Sequence, residues 1–195
     1  MVELNKVFLD EEDPDERPRS LLREIISFAG YVVFVVLFTY IIVTYVGQRT
    51  EVVGSSMYPT LHDGDNLLVD KISYRFTDIE RFDIIVFEYQ HEENVYYIKR
   101  IIGLPGETVQ ITDGNIYING ELLEEDYGYE VMESAGLAAE PVTLGENEYF
   151  VLGDNRNDST DSRDPRVGNI TRDIIVGKAF VRIYPFDAIG FLKHQ

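Results

Sequence analysis

The 195-residue chain has no cysteine. Disulfides, thiolate catalysis and cysteine-based metal sites are therefore excluded. Histidine is scarce too. His62, His91 and His194 are scattered along the chain, a poor basis for a zinc site, and neither a metal nor another cofactor is expected. Positive charge is also in short supply. Seventeen Lys and Arg face 35 Asp and Glu, a formal net charge of −18, which argues against a nucleic-acid partner. The acidic excess is not confined to one end: residues 1–24 hold eight acids and four bases, residues 48–195 hold 27 acids and 13 bases. A charge spread this widely reads as a solubility or salt adaptation of the surface.

One stretch lacks charge altogether. Between Ile25 and Gly47 there are 23 residues without Asp, Glu, Lys or Arg, enough to cross a bilayer with some tilt. Phe28, Tyr31, Tyr40 and Tyr45 include candidates for the interfacial aromatic belts. Arg17, Arg19 and Arg23 precede the stretch and only Arg49 follows closely, so the bias of basic residues puts the N-terminus in the cytoplasm. A cleaved signal peptide fits poorly, because the run is too long and Tyr45-Val46-Gly47 is no small-x-small site. The expected organisation is an acidic cytoplasmic tail over 1–24, a transmembrane helix over 25–47 and an exported domain over 48–195. The localisation that follows is single-pass in the cell membrane, with the lipid bilayer as one partner.

Past residue 48 no long helical periodicity remains. Val52-Val53, Asn66–Val69, Asp83–Phe87, Val95–Ile102, Glu148–Leu152 and Ile174–Tyr184 read as short strands. Thr108–Ile111 and Asn115–Asn119 flank Thr112-Asp113-Gly114, a hairpin signal. Short, evenly spaced strands predict a mainly β fold, a partly open, barrel-like antiparallel domain preceded by the one transmembrane helix. Residues 121–147 are acidic, with little strand character, and read as a mobile surface insertion.

Two residues carry the chemistry. Ser56 lies in Gly54-Ser55-Ser56-Met57-Tyr58-Pro59-Thr60, where Pro59 stiffens the turn. Lys99 lies in Tyr96-Tyr97-Ile98-Lys99-Arg100-Ile101-Ile102. In a strand, Tyr97, Lys99 and Ile101 share one face, and a lysine between apolar neighbours on a buried face is unusual. Lysine is ordinarily a poor base, with a pKa of ~10.4. Burial disfavours its charged form and frees the amine near neutral pH, where it can activate a serine. A Ser-His-Asp triad is the chemical rival, but His62 follows Ser56 by only six residues, too close for an easy hydrogen bond to its hydroxyl. The polar run Gly153–Arg163 is a third element. It is not a calcium loop, since Arg156, Ser159 and Pro165 stand where that loop needs an acidic ligand, a glycine and a glutamate.

Ser56–Thr60, Gly64-Asp65, Lys99–Gly106 and Gly153–Arg163 together resemble the ordered sequence boxes of type I signal peptidases, across the chain from the apolar stretch to about Pro185. The resemblance implies a membrane-anchored serine endopeptidase. It would remove signal peptides from exported preproteins after a small-x-small motif, with the secretion translocase as a further partner. It implies Ser56 as nucleophile and Lys99 as base. It also implies that Ser159 hydrogen-bonds the Lys99 amine, and that Asp161 pairs with Arg163 to hold the loop. Only about 45 residues separate the lysine and Gly-Asp-Asn boxes, as in the compact Gram-positive type. Gly54 stands where some relatives carry an oxyanion-binding serine, which leaves the Ser56 N–H, Ser55 or water for that task.

Overall fold

The computed structural model describes residues 21–41 and 47–192. Most of the expected acidic tail, residues 42–46 of the apolar stretch, and His194 lie outside the described residues.

The described part of the first unit is a helix, α1 (Leu21–Ile41). It starts four residues before the charge-free run and takes in Arg23 and Glu24. Leu21–Tyr40 has a mean hydropathy of 2.0, long and apolar enough to cross a membrane. Gly47, the last residue of that run, belongs to a strand and not to the helix.

The second unit is built from antiparallel strands. Its larger sheet follows the order β1 (Gly47–Glu51), β2 (Asn66–Asp70), β11 (Ile175–Tyr184), β3 (Ile84–Glu88), β4 (Tyr96–Gly103), β9 (Glu148–Leu152), β10 (Ile170–Thr171), with β12 (Gly190–Phe191) paired to β11. The smaller one is ordered β7 (Glu121–Leu122), β6 (Asn115–Ile118), β5 (Thr108–Thr112), β8 (Val142–Thr143). The mainly β expectation holds, but the sheets are not closed into a barrel: β1 and β10 end the larger sheet without pairing to each other.

The expected hairpin joins β5 to β6. Thr112 faces Asn115, and Asp113 and Gly114 both have positive φ, the signature of a two-residue type I′ turn. A second turn of this kind, Asn119-Gly120, joins β6 to β7. Its Asn-Gly signal was equally visible in the sequence, inside a region read without a turn. Val52-Val53, expected as a strand, lies just beyond one: pairing stops at Glu51, Val52 is buried, and Val53 is 84% exposed as the chain turns at Gly54.

Three apolar clusters hold the sheets. Val52, Met57, Leu61, Leu67, Val69, Ile84 and Val86 form the one beneath the Ser56 turn. Ile85, Phe87, Ile101, Tyr149 and Val151 fill another face. Ile102, Val109, Ile111, Phe150 and Leu152 join the two sheets. Residues 121–147 are exposed over most of their length, yet Met132, Ala138 and Leu144 are buried in that last cluster. The segment therefore folds onto the domain, because its spaced apolar side chains remove area from water at roughly 25 cal/mol per Å².

Candidate active site

Ser56 is carried by a tight turn nailed to the core on both sides. Met57 and Leu61 are almost fully buried. The Tyr58 N–H donates to the Ser55 carbonyl at 3.0 Å and the Leu61 N–H to the Met57 carbonyl at 2.9 Å. The Tyr58–Pro59 peptide is cis. The anchored turn leaves Ser56 partly exposed at the wall of a cleft of about 450 Å³. Val52–Ser56 and Tyr96–Lys99 line it, with Asp158–Thr160 at one end.

Lys99 reaches the same point from β4. Its Nζ donates to Ser56 Oγ at 2.8 Å and to the Ile98 carbonyl at 2.9 Å. The residue is only 4% exposed, and the Tyr97 ring lies 5.3 Å from the amine. Desolvation pushes the Lys99 pKa down to about 8, against the attraction of Asp161 and Asp154. Burial wins because neither carboxylate is free to serve the lysine. Asp154 is held by Arg100 (Nε to Oδ1 2.8 Å, Nη2 to Oδ2 2.6 Å) and Asp161 by Arg163 (2.8 Å for both bonds). Each acid is thus locally neutralised by a two-pronged guanidinium.

The loop after β9, residues 153–163, forms the third wall. Ser162 exchanges two hydrogen bonds with Val151, which turns the loop back on its strand. The Asn155 N–H donates to the Ser56 carbonyl at 3.0 Å, Asn155 Nδ2 to the Ser55 carbonyl at 3.2 Å, and Ser55 Oγ to Asp158 Oδ2 at 2.6 Å. Gly153 packs so closely that a Cβ would lie 2.4 Å from the Ser56 carbonyl oxygen and against the Ser159 side chain. A larger residue there would drive the loop and Ser56 apart.

The structure brings four of the five expected site residues into the expected contacts: Ser56 with Lys99, and Asp161 with Arg163. Asp161 also accepts the Gly153 N–H, and Arg163 donates to the Arg156 and Ser134 carbonyls. Ser159 departs from expectation. It lines the cleft, but among the described residues its buried Oγ has no hydrogen-bond partner, so it makes no hydrogen bond to the Lys99 amine. The two donor directions accounted for on that amine go to Ser56 and Ile98. Removing an unsatisfied buried hydroxyl relieves its desolvation cost, so Ser159→Ala is expected to melt no lower than the parent, with a gain of up to ~1 kcal/mol. A clear drop in melting temperature would show that the hydroxyl is satisfied after all.

Ser55, His62 and His91 are also accounted for. The Ser55 hydroxyl is engaged, donating to Asp158 Oδ2 at 2.6 Å. His62 packs edge-on against Tyr58 and His91 against Tyr89.

Sequence reasoning missed the buried Arg100–Asp154 pair, both of whose side chains have no exposed surface. Thr60 of the Ser56 turn donates its hydroxyl to the same carboxylate. One pair thus joins β4, the 153–163 loop and the Ser56 turn. The signal was present: Arg100 sits in an apolar strand on the face opposite Lys99, and a charge there demands a buried partner.

The family model described as signal peptidase, peptidase S26, matches residues 24–184. The chain belongs to the signal peptidase family. It is 39% identical over 169 residues to signal peptidase I T of Bacillus subtilis, covering 83% of this chain and 86% of that one. It is 41% identical over 154 residues to the probable signal peptidase I-2 of a Synechocystis strain, covering 76% and 68%. A solved signal peptidase I from Enterococcus faecalis is similar at 37% identity with a TM-score of 0.45, over 52% of this chain and 97% of that one. Membership makes the chain a serine endopeptidase of the signal peptidase I type, a protease that removes signal peptides.

Proposed function

We propose that Ser56 and Lys99 form the catalytic dyad of a membrane-anchored peptidase that cuts exported preproteins after a small-x-small sequence. The observation that carries this reading is the 2.8 Å approach of a desolvated lysine amine to the hydroxyl of a turn-borne serine. The unprotonated amine takes the Ser56 proton as the hydroxyl attacks the scissile carbonyl. The Ser56 N–H stabilises the developing oxyanion. The amine then returns its proton to the leaving nitrogen, and water hydrolyses the acyl-enzyme with Lys99 again as base.

Substrate binds as an extended strand. β4 pairs with β9 only from Arg100 onward, so the edge of Tyr96–Lys99 beside the dyad is open. Val52–Gly54 faces it across the cleft. Backbone pairing supplies affinity, and shallow pockets admit only small alternate side chains. The apolar α1 anchors the enzyme, with the Arg17, Arg19 and Arg23 end in the cytoplasm and the catalytic domain outside. The 153–163 loop, held by Asp161 and Arg163, fixes the wall behind the nucleophile.

The pH dependence tests the base. The reactive species is the neutral amine, which predominates above its pKa of about 8. The cleavage rate of a purified preprotein is expected to rise nearly tenfold per pH unit from pH 6 toward 8 and to level off above. Loss of the rate in Ser56→Ala ties the activity to this site. A flat profile across pH 6–9, or cleavage surviving in Ser56→Ala, would remove the dyad from the mechanism.

A further inference from the structure

Residues 125–129 run in an irregular, extended course, and alternate side chains grip three separate parts of the site. The Glu125 carboxylate takes both guanidinium nitrogens of Arg156, at 2.7 and 2.9 Å. Arg156 is buried and donates its Nε to the Gly153 carbonyl at 3.0 Å. This is the glycine packed against the Ser56 carbonyl. Two residues on, the Tyr127 ring lies under the Arg100 guanidinium, with Cζ 3.6 Å from the ring centroid. Arg100 adjoins Lys99 in β4 and holds Asp154. Two residues further, Tyr129 donates its backbone N–H to the Asp154 carbonyl at 3.1 Å and sets its ring edge-on to Tyr58, at 4.8 Å, in the nucleophile turn. The intervening Asp126 and Gly128 are exposed.

Resting on the dyad reading above, we propose that residues 125–129 act as a strap whose Glu125, Tyr127 and Tyr129 are positioning residues, holding the catalytic loop, β4 and the Ser56 turn in register. Each segment carries one component of the site, and none of the three is covalently near another. The dyad distance therefore depends on whatever clamps the segments together. A guanidinium stacked on an aromatic face and gripped by a carboxylate is fixed in plane and in azimuth. Glu125, Tyr127 and Tyr129 do not line the cleft. The strap consequently acts on the reacting groups and not on substrate affinity. A misplacement of about 1 Å at a reacting centre is enough for a hundredfold loss of rate.

The test measures kcat and KM for preprotein cleavage, at a temperature where melts show each variant fully folded. Tyr129→Ala and Tyr127→Leu are each expected to lower kcat about tenfold or more while KM stays within about twofold. Tyr129→Phe and Tyr127→Phe, which keep the rings, are expected to restore most of the rate. Tyr129 is 51% exposed, so its alanine variant is the one expected to fold without difficulty, and it decides the matter if Tyr127→Leu does not. An unchanged kcat in folded Tyr129→Ala overturns the proposal, leaving the segment as surface packing. A change confined to KM overturns it in favour of substrate contact. Ser56→Ala, run alongside, keeps the two readings apart: cleavage surviving there removes the dyad, whereas its loss with strap variants at full kcat removes only the strap.

Discussion

Lys99→Met is expected to abolish cleavage and, at the same time, to stabilise the folded domain. On the dyad reading, the catalytic loss follows from removing the amine that reaches Ser56, by about four orders of magnitude or more if the dyad acts as a unit. Lys99→Arg fails as well, since a guanidinium stays protonated at any working pH. The gain in stability has a separate origin. The lysine pKa falls from 10.5 to about 8 on folding because its charge is stripped of water. Between those values the unfolded chain binds the extra proton, so stability rises with pH there, and below about 8 the penalty stands in full. Methionine fills similar space without the charge. The variant should therefore exceed the parent by ~1–3 kcal/mol at neutral pH, the free energy of a shift of this size with allowance for relaxation. The difference should shrink as pH climbs from 8 toward 10.5 and vanish beyond. Urea unfolding of both proteins at pH 7 and 10.5 measures it. A Lys99→Met domain less stable than the parent at pH 7 would mean that the lysine is not desolvated as described.

The second large effect concerns stability. Asp154→Asn is expected to cost ~3–5 kcal/mol, the typical price of leaving a buried charge without its partner. That is a sizeable share of the 5–15 kcal/mol that holds an ordinary domain together. Arg100 would keep its Phe82 carbonyl and its Tyr127 ring, but neither neutralises it. Activity should fall with stability, since the same carboxylate accepts the Thr60 hydroxyl of the nucleophile turn. Replacing both partners, as in Arg100→Met with Asp154→Leu, should recover part of the lost stability, because the pair stabilises far less than its breakage costs. Denaturant melts of the three variants decide this. Asp154→Asn melting with the parent would mean that water reaches the pair.

Much of the site was legible because its components are local. Ser56 sits in a turn written by Gly54, Pro59 and the apolar Met57 and Leu61. The lysine stands out as a charge in an apolar strand. The Asp161–Arg163 pair was implied by the resemblance of the Gly153–Arg163 box, and its partners stand only two residues apart. Ser159 was misjudged for the opposite reason. Its hydroxyl lies in the wall of the site, but which partner a hydroxyl finds depends on the packing around it, and no spacing rule encodes that. The region 121–147 was read as a mobile surface insertion, and the burial of its Met132, Ala138 and Leu144 was not legible there. Its strands are two residues long, and Glu125, Tyr127 and Tyr129 read as ordinary surface residues until Arg156, Arg100 and Tyr58 lie beneath them.

By itself the sequence determined the apolar helix, the β-rich character of the domain, the serine, the lysine and their family. Each depends on composition, short-range periodicity or nearby residues, and these act before any tertiary contact forms. Only the tertiary structure decided that Lys99 meets Ser56 across 43 positions of chain, and that Arg100 meets Asp154 across 54. It also decided that the sheets stay open and that an acidic segment straps the site. These depend on which strands pair and what is buried between them. The lowered lysine pKa belongs with them, because desolvation is a property of the packed surroundings and not of the residue.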